Sequence, residues 1–542
     1  MIAFRCQLRL AALLLALTPL TASGADAAVY FDETQATTLF AFDDLSIPLT
    51  QNLRVAMRAP QRHPANPVVP RGPADAPDSW AVQFYGSIIR DQGKFRLWYV
   101  AAGADRGDRS QPRSAPWRVA YAESADGVNW VKPKLGLVDY RGSRDNNLLL
   151  VEPAPLGILN LKVLHEPDEP DPARRYKMTT HVWFSKGGQG ARFGTLVPFV
   201  SADGLRWKSV RPFQPVAAEI TRDDLFLPWI HFEPAGGLYK WDGIYYASGQ
   251  NANVASRPYH GRIVRAYASG DFTTWTHAST VGFIRPVQHT LLGPGRSRDG
   301  VQTHEGVSVW HRGNVLLGIY GRWSGAPEWA GVTIDLGFVL SNDGLSFREP
   351  AHEWTMLARG PDGAWDQGGL LQGQGFENIG ELTHLYYGAW DARRSDASPP
   401  RGGVGIATLP RDRFGDLVVE ASGLGAGDYQ LPAADAVCEF ITAPVPIARG
   451  QPARFHLNAD GVGPRATLKV ELLGADLQPL PGFSGTAAAV MRRSGFQVPL
   501  EWSGRTAITG LPDRVRLRVA YEGARRQDLR VSALYVQPGA RR

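Results

Sequence analysis

Cysteine is nearly absent from this chain: Cys6 and Cys438 are the only two in 542 residues. Cys6 lies in a leader-like stretch, so the remaining thiol has no partner for an internal disulfide, and no cysteine-based zinc site can be built. Long apolar runs are missing as well. The run Leu10 to Leu17 is too short to span a bilayer, and no later stretch approaches about 18 apolar residues. Charge of one sign is scarce: 58 Lys and Arg against 52 Asp and Glu leave +6 with no long basic tract, which argues against a nucleic-acid partner. Helical periodicity of useful length is missing from residues 40–420. No G-x-S-x-G motif supports serine-based hydrolysis.

The N-terminus carries a processing signal. Arg5 and Arg9 precede the apolar run, and Ala25-Asp26-Ala27 offers a small-x-small cleavage site. This pattern predicts a signal peptide over residues 1–27 and export to the periplasm or the outside, with no membrane anchor.

Turn formers and aromatics are plentiful. The 59 Gly and 40 Pro exceed average usage, as an all-β fold with many turns requires. Sixteen Trp and seventeen Tyr favour strands and surfaces that stack on ring-shaped ligands. A turn pattern then recurs at "YAESADGVNW", "FVSADGLRWK", "AYASGDFTTW" and "FVLSNDGLSF". Its aspartates are Asp126, Asp203, Asp271 and Asp343, each followed four residues later by Trp130, Trp207, Trp275 or Phe347. A degenerate fifth copy is expected at Asp412. A second hairpin precedes each copy, as at Asp91-Gln92-Gly93-Lys94 and Trp241-Asp242-Gly243.

Two hairpins per repeat of about seventy residues predict five four-stranded sheets, hence a five-bladed β-propeller over residues 28–425. The stretch "TLFAFDDLSIPLTQNLRVAM" near residue 40 is expected to supply the strand that closes the ring. Beyond it, the alternating runs "ARFHLNAD", "ATLKVELLGAD" and "RVRLRVAYEG" predict a small β-sandwich over residues 430–542.

In a propeller the segments leading into the innermost strands converge on a central funnel. Those segments carry Asp78, Trp80 and Tyr85; His231 and Glu233; His304 and Glu305; and Asp366 with Gln374. Paired carboxylates are what glycosidic cleavage requires: one protonates the leaving oxygen, the other activates water or attacks carbon. The expected catalytic set is therefore Glu233, Asp78, Glu305 and Asp366. Glu233 is the expected acid, because Phe232, Pro234 and Trp229 should desolvate it and raise its pKa. The expected sugar-binding set is Trp80, Tyr85, His231, His304, Arg322, Trp323 and Gln374. An acid before a strand is also an ordinary turn residue, and both histidines also suit buried hydrogen-bonding roles. No cofactor is expected. A catalytic metal held by His231, His304 and a carboxylate is the weaker reading, behind a structural ion on the propeller axis.

The repeat length, the five-fold count, the leader, "YAESADGVNWVKPKLGL" and "DNNLLL" together resemble secreted bacterial proteins grouped near glycoside hydrolase families 32 and 43, five-bladed propellers of the furanosidase type. The resemblance covers roughly residues 40–420. It implies that Asp78 on the first blade is nucleophile or base and that Glu233 on the third is general acid. The second-blade aspartate of those families has no counterpart here, so Glu305 and Asp366 complete the set. The expected function is a glycoside hydrolase acting on an oligo- or polysaccharide; the alternative is a non-catalytic carbohydrate-binding propeller. If the leader is processed as read, mass spectrometry of the exported protein should give a terminus near Ala28; an intact Met1 would contradict it.

Overall fold

The dense alternation and frequent turns yield an all-β chain in which helix is confined to short single turns. The structure, a computed structural model, describes residues 30–107, 117–155, 157–186, 192–217, 219–227, 230–250, 262–287, 300–391, 401–420 and 436–538. The expected leader, the boundary between residues 425 and 430, and Trp229 lie outside the described residues.

Five strands open successive sheets: Ala81–Asp91, Ile158–His165, Glu233–Trp241, Gly300–His311 and Leu370–Ile379. Each packs on the next, and the fifth returns to the first, where Gln374 and Ser87 form a parallel bridge. Large aromatics fill the space between neighbouring sheets. Trp98 and Trp207 are completely buried in one such cluster, where their removal from water is a main source of stability. The tight turns behave as their residues dictate. Gln92-Gly93 and Asp242-Gly243 both have positive φ at the two central positions, the geometry that matches strand twist.

The repeated aspartates have one job. In every copy a serine two residues earlier donates to the carboxylate, at 2.9 Å for Asp126, 3.0 Å for Asp203, 3.1 Å for Asp271 and 2.9 Å for Asp343. The same carboxylate accepts from the backbone N–H groups two and three residues later. This self-contained bonding lets a short polar residue hold a turn without tertiary help. Asp412 is different and is not a fifth copy. Pro410 stands where the serine should be, and the Asp412 carboxylate is fully buried against Arg312.

The N-terminal segment departs from expectation. Thr37–Phe40 pairs with Arg530–Pro538, Leu49–Gln51 with Glu439–Ile441, and Leu53–Met57 with Gly415–Val419. Only Gln61–Arg62 reaches the ring, as the outer edge of the fifth sheet beside Val404–Pro410. The physical reason is burial. Leu39 and Leu53 complete an apolar core otherwise made by the C-terminal strands, including Phe455, Leu468, Val519 and Leu534. Two antiparallel sheets contribute to that core.

Arg312 ties these parts together. It donates to both oxygens of Asp412, at 2.6 and 2.9 Å, and Tyr535 donates to the same carboxylate at 2.8 Å. Deleting one member strands a buried charge, so Arg312→Met should cost about 3–5 kcal/mol in urea denaturation, and the Arg312→Met/Asp412→Leu double variant should recover part of it. A loss below about 1 kcal/mol in the single variant would show that the pair is dispensable.

Candidate functional site

The innermost strands share a defect in register at the same end. The pairing slips between Gln83 and Ser87, Ile158 and Leu161, Glu233 and Gly237, His304 and Val307, and Gln372 and Phe376. Such bulges leave backbone groups unpaired and re-aim side chains. In the fourth strand the bulge puts Glu305 at φ 62° and Gly306 at φ 82°. A non-glycine residue in this region is uncommon and points to a constraint on its side chain. Gly306 is required for packing as well, because a Cβ there would lie 2.7 Å from the Gly249 backbone.

That close approach of the third and fourth sheets brings Glu233 and Glu305 onto one amide. Gln250 Nε2 donates to Glu233 Oε2 at 2.7 Å and to Glu305 Oε1 at 3.0 Å, while Gln250 Oε1 accepts from the Glu305 backbone N–H at 2.9 Å. Burial pushes Glu305 well above the usual carboxylate range; the Glu233 charge adds to this, against Arg262 and Lys162. Burial acts on Glu233 in the same sense, but the adjacent His231 and His181 imidazoles and the Gln250 amide outweigh it and hold Glu233 low. The expectation that desolvation by Phe232 and Pro234 makes Glu233 the raised acid is thus corrected: adjacent donors beat burial, and the raised group is Glu305.

Around the pair stand several expected residues. Tyr85 Oη and His304 Nδ1 are 3.2 Å apart. The His304 ring packs on Trp323 at 4.9 Å and stacks on Trp390 at 5.9 Å, and its Nε2 is 3.8 Å from Glu305 Oε1. Burial holds His304 well below the ordinary histidine range, so the ring is neutral. Arg262 covers the Trp323 ring at 4.2 Å and lies in the field of both glutamates. His231 Nε2 is 3.5 Å from Glu233 Oε1, and its Nδ1 accepts from the Gly194 N–H at 3.2 Å.

The remaining expected residues are engaged elsewhere. Asp78 accepts from Tyr99 Oη at 2.7 Å and Lys132 Nζ at 2.5 Å; Asp366 accepts from Tyr387 Oη at 3.1 Å and Arg62 Nε at 2.9 Å. Each is 1–2% exposed, six residues after a glycine of an Arg-Gly-Pro triplet and 21 residues before its tyrosine. They are equivalent anchors of the loops leading into the first and fifth inner strands, and neither shares a contact with Glu233 or Glu305. Arg322 donates to Glu353 at 2.6 Å. Gln374 is bonded at both ends of its amide to the Leu238 backbone, at 3.0 and 2.8 Å. Trp80 packs edge-on against Trp117.

Sequence reasoning missed Gln250, Arg262, Lys162 and His181. Lys162 is wholly buried, donates to the Gly86 and Gln372 carbonyls at 3.2 Å, and has its amine pushed well below the ordinary lysine range by that burial. Among the described residues one group of three side chains has metal-ligand spacing: His181, His231 and Glu233. His181, not His304, is the second imidazole of that group.

No family model and no curated protein matches the sequence. Among solved structures, the chain is similar to one described as "The GH130 family of mannoside phosphorylases contains glycoside hydrolases that target beta-1,2 mannosidic linkages in Candida mannan", at 17% identity and a TM-score of 0.40, covering 66% of this chain and 95% of that one. It is also similar to an N-acetylgalactosamine deacetylase from F. plautii, at 14% identity and a TM-score of 0.38, covering 66% and 96%. A Bombyx mori GH32 beta-fructofuranosidase has 12% identity and a TM-score of 0.34, covering 94% and 95%. At these scores the likeness fixes neither family nor activity.

The tyrosine and cation partners of Asp78 predict a structural role. Asp78→Asn should lower the thermal midpoint by several degrees, as expected for a buried charge network losing about 1–3 kcal/mol. An unaltered midpoint in the folded variant would contradict the structural role.

Proposed function

We propose that this chain is a hydrolase of glycosidic bonds in an oligo- or polysaccharide, with Glu305 as proton donor and Glu233 as its carboxylate partner. The observation that carries this reading is the shared Gln250 amide, which bridges two largely buried carboxyl groups from different sheets. Glu305 Oε2 is buried and has no hydrogen-bond partner among the described residues, leaving that oxygen as a place for the proton. Both glutamates keep a small exposed edge, at 15% and 11% of the side chain, through which a saccharide can reach them. Tyr85, His304 and Trp390 would supply the flat, hydrogen-bonding wall on which a sugar ring packs. In the reaction Glu305 would protonate the departing glycosidic oxygen and Glu233 would support attack at the anomeric carbon.

The closed ring of five inner strands supports a five-bladed propeller over residues 28–425, and the shared apolar core of the last strands supports a C-terminal β-sandwich over 430–542. The basic and apolar leader supports export.

One feature favours a second reading. The Gln250 amide occupies the space between the two carboxyl groups, where a pair set about 5–5.5 Å apart for retention or about 6.5–9.5 Å for inversion has to admit the sugar. A substrate must displace that bridge. If it does not, the protein is a carbohydrate-binding propeller whose acids only accept hydroxyl hydrogen bonds. Sugar release from a panel of polysaccharides separates the two. Glu305→Gln and Glu233→Gln should each lower turnover roughly a hundredfold or more with folding retained. Unchanged turnover in both folded variants would remove the pair from the mechanism, and binding without release by the wild type would establish the second reading.

A further inference from the structure

We propose that His181, His231 and Glu233 form a binding site for one divalent first-row transition-metal ion. The site shares Glu233 with the carboxyl pair but stands on separate observations. One potential ligand atom from each residue lies within 4.8 Å of the others. The two imidazoles come from different elements, one from the second sheet and one from the segment leading into the third, and their rings meet edge to face at 5.3 Å and 76°.

His181 supplies the argument that these side chains await a ligand. It is fully buried, and neither Nδ1 nor Nε2 has a hydrogen-bond partner of sound geometry among the described residues. Buried polar groups are almost always paired, because an unmet one loses its hydration without return. The contact between His231 Nε2 and Glu233 Oε1, at 3.5 Å, is long for a hydrogen bond. It matches the spacing of two ligands around one ion, since bonds of about 2.0–2.1 Å in a tetrahedral shell place ligand atoms roughly 3.3 Å apart.

The donor set selects the ion. Two imidazole nitrogens and one carboxylate oxygen suit zinc, manganese, iron, cobalt or nickel, whereas calcium and magnesium prefer all-oxygen shells. Three protein ligands leave a fourth position open, the arrangement of reactive rather than purely structural zinc sites. Trp183 packs on both imidazoles, at 5.0 and 5.7 Å, and would limit the motion of the ligand rings. His231 and Glu233 are partly exposed, so an ion has a way in.

The test uses the full-length protein stripped with a chelator and titrated calorimetrically with Zn2+ in the absence of saccharide. One ion per chain should bind, with a rise in thermal midpoint that Mg2+ does not produce. His181→Ala and His231→Ala should each weaken binding by a hundredfold or more, and His352→Ala, which alters an exposed histidine, should not. Should an alanine variant fold poorly, Co2+ loaded into the wild type gives an independent reading, because nitrogen ligation in a four-coordinate shell produces strong visible absorption. Absence of Zn2+ binding, undiminished binding in both histidine variants, or Co2+ spectra of the free aquo ion would overturn the proposal. Sugar release is scored separately: a chain that cleaves glycans yet binds no ion sinks only this inference, whereas one that binds the ion and cleaves nothing sinks only the hydrolase reading.

Discussion

Inner strands that converge on an axis cannot pair with one another along their length, so their backbone groups there need other partners. Side chains supply them. Lys162 donates to carbonyls of the first and fifth inner strands, and Ser308 donates to Gly236 at 2.6 Å and Gln372 at 2.8 Å. Gln372 donates to Gly306 at 3.1 Å, and Ser87 accepts from the Val163 N–H at 2.9 Å. The bulges expose the backbone atoms that these side chains bind. Closure of the ring and shaping of the site are therefore one event: the irregularity that frees a carbonyl for the axis also turns Glu305 toward Gln250.

The same economy governs charge at the site. Glu305, Glu233, Arg262 and Lys162 are four ionisable groups in a water-poor region, where each unpaired charge is costly. Burial and neighbouring charges shift these groups in directions that reduce the charge held there. Lys162 loses its proton affinity to burial, and Glu305 gains its own from burial and its neighbour. Glu233 remains the ionised member because the histidines and the amide face it. Two residues of the same type, drawn from adjacent sheets, thereby acquire different chemical characters.

Legibility in the sequence followed locality. Asp126, Asp203, Asp271 and Asp343 satisfy themselves within three residues, so their spacing announced the repeat. Glu233 and Glu305 were found because each precedes the first hairpin turn of its repeat, a local property. Asp78 and Asp366 carry the same local mark, yet their partners Lys132 and Arg62 lie far along the chain and convert them to buried anchors. The Arg-Gly-Pro spacing that unites them was present but needed the tyrosines to interpret it. Gln250 and His181 were silent because their meaning is entirely tertiary: Gln250 meets Glu305 across 55 residues, and nothing near either position indicates the partner. The closing strand was misplaced for a related reason. Alternation says that Thr37–Met57 forms strands, but not which edge buries Leu39 and Leu53.

The interleaving of the first and last strands sets an order of events during synthesis. Thr37–Phe40 is made before the ring and its partner Arg530–Pro538 after it. Between them runs the whole ring, so this pairing has one of the largest sequence separations the chain offers, and such pairings form late. The core containing Leu39 must stay unfinished while the ring's sheets are still being made. A nascent chain thus carries an unsatisfied apolar edge for as long as the ring is being made, the kind of exposed surface that invites misassembly until the partner strands arrive.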